Sequence, residues 1–72
     1  MKALNDIVEQ GIARYIGCST ILAAQFAEMQ FIVEKHDWFK FVNCQSCYNL
    51  LYRKYEHELI PFAKRHGMAL TP

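Results

Sequence analysis

Apolar residues recur at helical spacing in three segments of the chain. The first segment ends at Gly11, a residue type that commonly stands just past the last turn of a helix. The second runs from about residue 20 to 36, and the third from about 55 to 66. Pro61 lies inside the third segment, so that helix is expected to kink there or to begin near Leu59. The three predicted stripes are Leu4, Ile7 and Val8; then Leu22, Phe26, Met29 and Val33; then Leu59, Phe62, Ala63 and His66.

Short apolar segments with β-branched or aromatic residues separate these helices. They span residues 13–18, 39–45 and 68–71 and are predicted to be strands, the first of them buried. Strands that alternate with helices indicate βαβ units and a parallel sheet, so the fold class is α/β. Three strands leave two open edges. We therefore predict a slice of a larger α/β fold, either a barrel or a doubly wound sheet, between which periodicity does not decide.

Composition and charge narrow the classes of partner. The 72 residues carry a formal net charge of +1, with no basic stripe, which argues against nucleic acid. No apolar run approaches the roughly 18 residues of a membrane span, so no membrane contact is expected. An odd number of cysteines, three, with no targeting pattern at the N-terminus, favours a reducing, cytoplasmic setting.

The spacing of Cys44 and Cys47 raises the question of a metal or thiol-redox site. Structural zinc usually needs four ligands, and here the only further thiol is Cys18. Two residues three apart on a strand also point to opposite faces. Buried small residues are the preferred interpretation and we predict no metal site, with a small metal or redox protein as a third-ranked hypothesis.

Polar residues follow the first two predicted strands. Ser19 and Thr20 stand where an N-cap of the second helix belongs, but they also lie at the sheet end where α/β folds bind ligands. Gly17 would allow close approach of a ligand. Gln45 ends the next strand and offers one acceptor and two donors, which suits a ligand that carries an amide. Capping and ligand binding both remain open for these positions.

Three blocks of the sequence resemble one known family in order and in spacing. MKALNDIVEQGIARYIGCST, VNCQSCYNLLYR and ELIPFAKRHGMALTP are similar to segments of the aldo-keto reductases, NADPH-dependent oxidoreductases with a (β/α)₈ TIM barrel. The second block is most similar to the fungal aryl-alcohol-dehydrogenase-like branch. The resemblance implies that residues 1–72 are a partial NADP-dependent oxidoreductase domain, truncated at both ends, with three strands and three helices of the barrel.

The same resemblance implies roles for individual residues. In the family, a Ser-Asn or Ser-Ser pair and a strand Gln bind the nicotinamide carboxamide of NADP(H), and these roles fall on Ser19, Thr20 and Gln45. The family's catalytic Asp, Tyr, Lys and His have no counterparts in these 72 residues, so no catalytic residue is assigned. The intact family enzyme reduces a small-molecule carbonyl substrate, whereas this segment alone is expected to be inactive. The alternative is a non-catalytic α/β module that self-associates through open sheet edges.

Overall fold

The structure is a computed structural model that describes all 72 residues. The helices are α1 (Lys2–Glu9), α2 (Ala23–His36) and α3 (Leu59–Arg65). The strands are β1 (Ile16–Ser19), β2 (Phe41–Gln45) and β3 (Ala69–Thr71), and a 3₁₀ turn at Lys54–Glu56 precedes α3. This order confirms the predicted alternation of helices and strands. The longest helix has 14 residues, and no helix is long and apolar enough to cross a bilayer.

The sheet has the order β1-β2-β3, and both pairs of strands are parallel. Right-handed crossovers between consecutive neighbouring strands place the connecting helices on one face of the sheet. A doubly wound sheet instead reverses its strand order and carries helices on both faces. The topology therefore confirms the α/β class and agrees with a partial TIM barrel, the choice that periodicity left open.

The core lies between the sheet and α2. The Phe26 side chain is 0% exposed, and its ring centroid lies 5.7 Å from that of Phe41 and 5.4 Å from that of Phe62. Val33, two turns further along α2, is also fully buried. Tilted and edge-on aromatic pairs at such distances add to the gain from burial. The main buried cluster is Ile16, Ile21, Phe26, Phe41, Cys44 and Leu59.

Helix α2 begins three residues later than the sequence predicts. Ser19 still belongs to β1, and the N-cap is Leu22, whose N–H donates to Oε1 of Gln25 over 3.3 Å. The prediction that Ser19 or Thr20 caps this helix is therefore wrong. The reason is that the Thr20 N–H donates to the Gln45 carbonyl over 3.1 Å, which extends the β1–β2 ladder by one residue. Leu22 is exposed rather than part of the buried stripe.

Helix α3 begins at Leu59. Of the two outcomes predicted for Pro61, a kink or a helix start near Leu59, this confirms the second. Pro61 is the third residue of α3, in the first turn, where a missing N–H costs no intrahelical hydrogen bond. Leu59 and Ala63 of the predicted stripe are buried. His66, also predicted on that stripe, is the exposed C-cap, and its ring lies 4.4 Å from the ring of Phe62.

An irregularity in β2 sets which side chains share a face. Ile16 pairs with Phe41, but the next residue, Gly17, pairs with Asn43, so Val42 is an extra residue of the bulge kind. A Cβ on Gly17 would lie 3.0 Å from the Asn43 carbonyl oxygen. The small size of Gly17 therefore serves the contact between β1 and β2, and the expectation that it admits a ligand is not needed to explain it.

Candidate functional site

The carboxyl ends of the three strands form a row of exposed polar residues. Ser19 pairs with Gln45, and Gln45 pairs with Thr71, so the three lie side by side across the sheet. All three are exposed. In TIM barrels, ligand-binding groups lie at this end of the strands. Two of the residues predicted from the sequence, Ser19 and Gln45, are thus brought together.

Thr20 lies next to this row and has a strained backbone conformation. Its φ is 47°, in the left-handed region that β-branched residues rarely occupy. The Ser19 and Thr20 hydroxyl oxygens are 3.3 Å apart and share a hydrogen bond. The Thr20 amide is held by the Gln45 carbonyl. The turn therefore holds two hydroxyl groups next to the end of β2, so the structure brings all three predicted residues together.

Gln45 presents an amide that is free to bind a ligand. Its main chain takes part in the ladder through the carbonyl that accepts from Thr20. Its side chain is exposed and engages no other group of the chain, whereas the neighbouring Asn43 and Ser46 side chains have partners. One acceptor and two donors remain available on that amide.

Asn43 and Thr71 extend the polar surface and were not identified from the sequence as site residues. Asn43 Nδ2 donates to Thr71 Oγ1 over 2.8 Å, which links β2 to β3 on the face opposite the helices. The sequence could have identified Asn43 as a site residue, because residues two apart on a strand share a face and Asn43 precedes Gln45 by two. Thr71 could not be found this way, since its neighbours depend on the pairing of β3.

The cysteines lie in different environments. Cys44 is fully buried and Cys47 is exposed. Cys18 pairs with Cys44 in the ladder; burial, then the hydrogen bond with the Cys44 thiol, raises the pKa of Cys18 from 9.0 to about 12. A thiol with so high a pKa stays protonated at neutral pH and is a poor nucleophile. No three His, Cys, Asp or Glu side chains approach one another closely enough to hold a metal ion.

A comparison of the sequence with known protein families identifies the family of this chain. The model of the aldo/keto reductase family matches residues 1–72, the whole chain. The chain belongs to the aldo/keto reductase family. This confirms the resemblance on which Ser19, Thr20 and Gln45 were chosen, while their contact with a cofactor stays a prediction.

Three curated relatives of this aldo/keto reductase chain come from fungi. It is 62% identical over all of its 72 residues to a Saccharomyces cerevisiae protein provisionally named aryl-alcohol dehydrogenase AAD16. It is 46% identical to aldo-keto reductase AMT2 of Alternaria alternata and 44% identical to versiconal hemiacetal acetate reductase of Aspergillus parasiticus, again over the whole chain. The chain spans about a fifth of the length of these relatives, at 21%, 20% and 21%.

The loop after β2 is held by a set of side-chain hydrogen bonds. The Tyr48 hydroxyl donates to Glu56 Oε1 over 2.6 Å, and Arg53 Nε donates to the same oxygen over 2.9 Å. The hydrogen bond from Tyr48, then that from Arg53, lowers the pKa of Glu56, and the bond to Glu56 raises the pKa of Tyr48. We refer to Tyr48, Arg53 and Glu56 as the loop clamp.

Asn49 closes the same loop from within. Its Oδ1 accepts from the N–H groups of Leu51 and Tyr52, over 2.9 and 2.8 Å. This turn leaves the Leu50 and Leu51 side chains 89% and 97% exposed. Apart from Tyr55, which packs against the core and the Tyr52 ring, the loop is therefore held by polar contacts.

One pocket of the chain reaches the polar row only at Thr71. It has a volume of about 240 Å³ and lies against Tyr55 and Leu59, on the helix side of the sheet. Cys44 and Leu70 also line it. Ser19 and Gln45 are not among the residues that line it. The polar row is instead an open surface, as expected for one wall of a larger site.

Proposed function

We propose that the polar row is part of the nicotinamide-binding wall of an NADP(H)-dependent aldo/keto reductase. Ser19, Thr20 and Gln45 are the residues that would bind the carboxamide of the nicotinamide. The observation that carries this proposal is the convergence of two hydroxyl groups and one unpaired side-chain amide at the carboxyl ends of β1 and β2. Family membership supplies the cofactor class.

The chemistry of the row suits a carboxamide. A primary amide needs both donors and acceptors opposite it, and a Gln side chain together with hydroxyl groups offers both. The row has no cationic side chain; its members are neutral. It therefore fits the uncharged amide end of the cofactor rather than its phosphates. NADP(H) supplies a hydride when bound, and these residues would bind and orient the nicotinamide ring.

We further propose that the intact enzyme reduces small aldehydes or ketones to alcohols, with residues 1–72 as part of its oxidoreductase domain. Three free cysteines are in keeping with a cytoplasmic enzyme. The name of the AAD16 relative, at 62% identity, favours aromatic aldehydes over other carbonyl compounds.

The 72-residue chain by itself is expected to be inactive, because carbonyl reduction also needs a positioned proton donor. Mixing the purified chain with NADPH and an aromatic aldehyde should give no oxidation of NADPH above the buffer rate. Turnover by the chain alone would contradict this part of the proposal.

Fluorescence titration of the 72-residue chain with NADPH tests the binding role. We expect weak binding that Gln45→Ala removes, because the substitution deletes the only unpaired amide in the row. Gln10→Ala, which truncates an exposed glutamine at the end of α1, is the matched control and should bind like the parent. Equal loss in both variants, or binding unchanged by Gln45→Ala, would overturn the proposal, provided that circular dichroism shows folded chains.

A further inference from the structure

Strand pairing brings together two cysteines that are distant in the sequence. Cys18 of β1 is the register partner of Cys44 of β2. Register partners on neighbouring strands point to the same face of the sheet. Cys44 belongs to the main buried cluster and Cys18 packs against it, so both thiols lie on the helix side. The fold therefore pairs Cys44 with Cys18, whereas Cys47, its neighbour in the sequence, is exposed.

The contact between Cys18 and Cys44 is internal to the chain. It joins two adjacent strands that pair with each other, and the two thiols share a hydrogen bond. Cys44 is fully buried and Cys18 is half-buried. Neither the outer edges of the sheet nor the outer sides of α1 and α3 take part in this contact. Strands that flank the sheet in a closed barrel therefore leave the thiol pair in place.

The spacing of the thiol pair suits a metal ion with linear coordination. Neighbouring strands lie about 4.8 Å apart, and side chains that project in the same direction keep roughly this spacing. A metal–thiolate bond is about 2.3 Å in zinc sites and of similar length for copper(I), so a linear sulfur–metal–sulfur unit spans about 4.6 Å. One ion therefore fits between the two sulfur atoms with little movement of the strands.

The two donors and their surroundings select the kind of ion. Structural zinc takes four ligands, and no third His, Cys, Asp or Glu side chain is close enough to extend the pair. Thiolates are soft ligands that favour copper(I). The buried cluster around the pair has no charged side chain. A monovalent ion that replaces one thiol proton leaves the net charge there unchanged, and this matters because an uncompensated buried charge is costly.

We propose that Cys18 and Cys44 together bind one copper(I) ion, held linearly between β1 and β2. Binding forms a copper–sulfur bond at each cysteine and releases a thiol proton to solvent, with no change in the oxidation state of copper or sulfur. The ion ties the two strands together at the residues that precede Ser19 and Gln45. The proposal rests on the thiol pair alone and does not depend on cofactor binding.

Anaerobic competition for copper(I) between the chain and bicinchoninate tests the site. The measurements use the Cys47→Ala chain, because an exposed thiol could join two molecules through one ion; this variant should keep the parental affinity. In that background, Cys18→Ala and Cys44→Ala should each weaken binding at least about 100-fold, because the second thiolate acts as an intramolecular ligand. Parental affinity in Cys18→Ala, or loss of binding in Cys47→Ala, would overturn the proposal.

X-ray absorption at the copper edge reads the coordination without any substitution in the pair, so it holds even where a cysteine variant fails to fold. One ion per Cys47→Ala chain with two sulfur ligands is the expected result. Less than one ion per chain, a third ligand or a nitrogen ligand would contradict the proposal. Copper should also leave the sedimentation coefficient unchanged, since dimers that form only with copper would place the ion between two chains and overturn the assignment.

Discussion

Thr20 shows how a single residue can be held against its own preference. Its left-handed φ of 47° is disfavoured for a β-branched side chain, yet the hydrogen bond from its N–H to the Gln45 carbonyl fixes the turn. Left-handed conformations cost L-residues about 1–2 kcal/mol. Strain of this kind is common at binding sites, where it orients functional groups. At this position it places the Thr20 hydroxyl next to that of Ser19.

Replacing Thr20 should therefore stabilise the fold. Thr20→Asn is expected to raise the free energy of unfolding by about 1 kcal/mol, because Asn tolerates the left-handed region. Urea denaturation followed by circular dichroism measures the change. Ser19→Asn, at the adjacent strand position, is the control and should give no gain. A destabilised Thr20→Asn variant would contradict this. It would show that contacts of the Thr20 side chain add more to the free energy of unfolding than its left-handed backbone conformation takes away.

The raised pKa of Cys18 predicts that the folded chain loses stability at alkaline pH. Its pKa is raised to about 12 in the folded chain, mainly by burial, from an ordinary value of 9.0. The unfolded state therefore releases this proton at lower pH than the folded state does, so stability is full below pH 9.0 and falls as the pH rises towards about 12. Cys18→Ala should flatten this decline in urea titrations at several pH values. Cys47→Ala, at an exposed thiol, should not; equal slopes in both variants would contradict the assignment.

At the scale of elements, α2 and α3 are each anchored by two buried apolar side chains, and the loop after β2 mainly by polar groups. Phe26 and Val33 anchor α2, and Leu59 and Ala63 anchor α3. In the loop, Leu50 and Leu51 are exposed, and the half-buried Tyr55 alone packs against the main core cluster. Segments that bury few apolar contacts open at low free-energy cost. The order of this loop is therefore expected to depend on the loop clamp.

Removing the carboxylate of the clamp should release the loop. Glu56→Gln keeps the size of the side chain but loses the charge that accepts from both Tyr48 and Arg53. Trypsin should then cleave after Arg53 and Lys54 several times faster than in the parent chain. Glu58→Gln is the matched control, because Glu58 is exposed and caps α3 with its backbone only. Cleavage at the parental rate in Glu56→Gln would show that the clamp does not hold the loop.

The sequence predicted the order of the elements better than the local geometry around the polar row, and the difference has a physical cause. Segments with helical spacing of apolar residues alternate with short apolar segments, and this local pattern predicted the order of helices and strands. Pro61, also a local signal, predicted the start of α3. The start of α2 and the φ of Thr20 depend on the ladder between β1 and β2, which no local pattern encodes. The extra residue Val42 and the bond between Asn43 and Thr71 depend on strand pairing in the same way.

At the scale of the whole molecule, one face of the sheet carries the helices and the other is open. The open face bears the side chains of Asn43 and Thr71, and at its carboxyl end the polar row. In a TIM barrel the corresponding face points inward and its carboxyl end lines the active site. Under the proposed function, this face of the chain forms one wall of an aldo/keto reductase site.

Titration of the ¹⁵N-labelled 72-residue chain with NADP⁺, followed by two-dimensional NMR, tests the central claim most directly. The account predicts that the largest shifts occur at the side-chain amide of Gln45 and the backbone amides of Ser19 and Thr20. Amides of α3 and of the loop clamp should move little. Shifts that leave Ser19, Thr20 and Gln45 unchanged while other residues respond would contradict the assignment of this row to the nicotinamide.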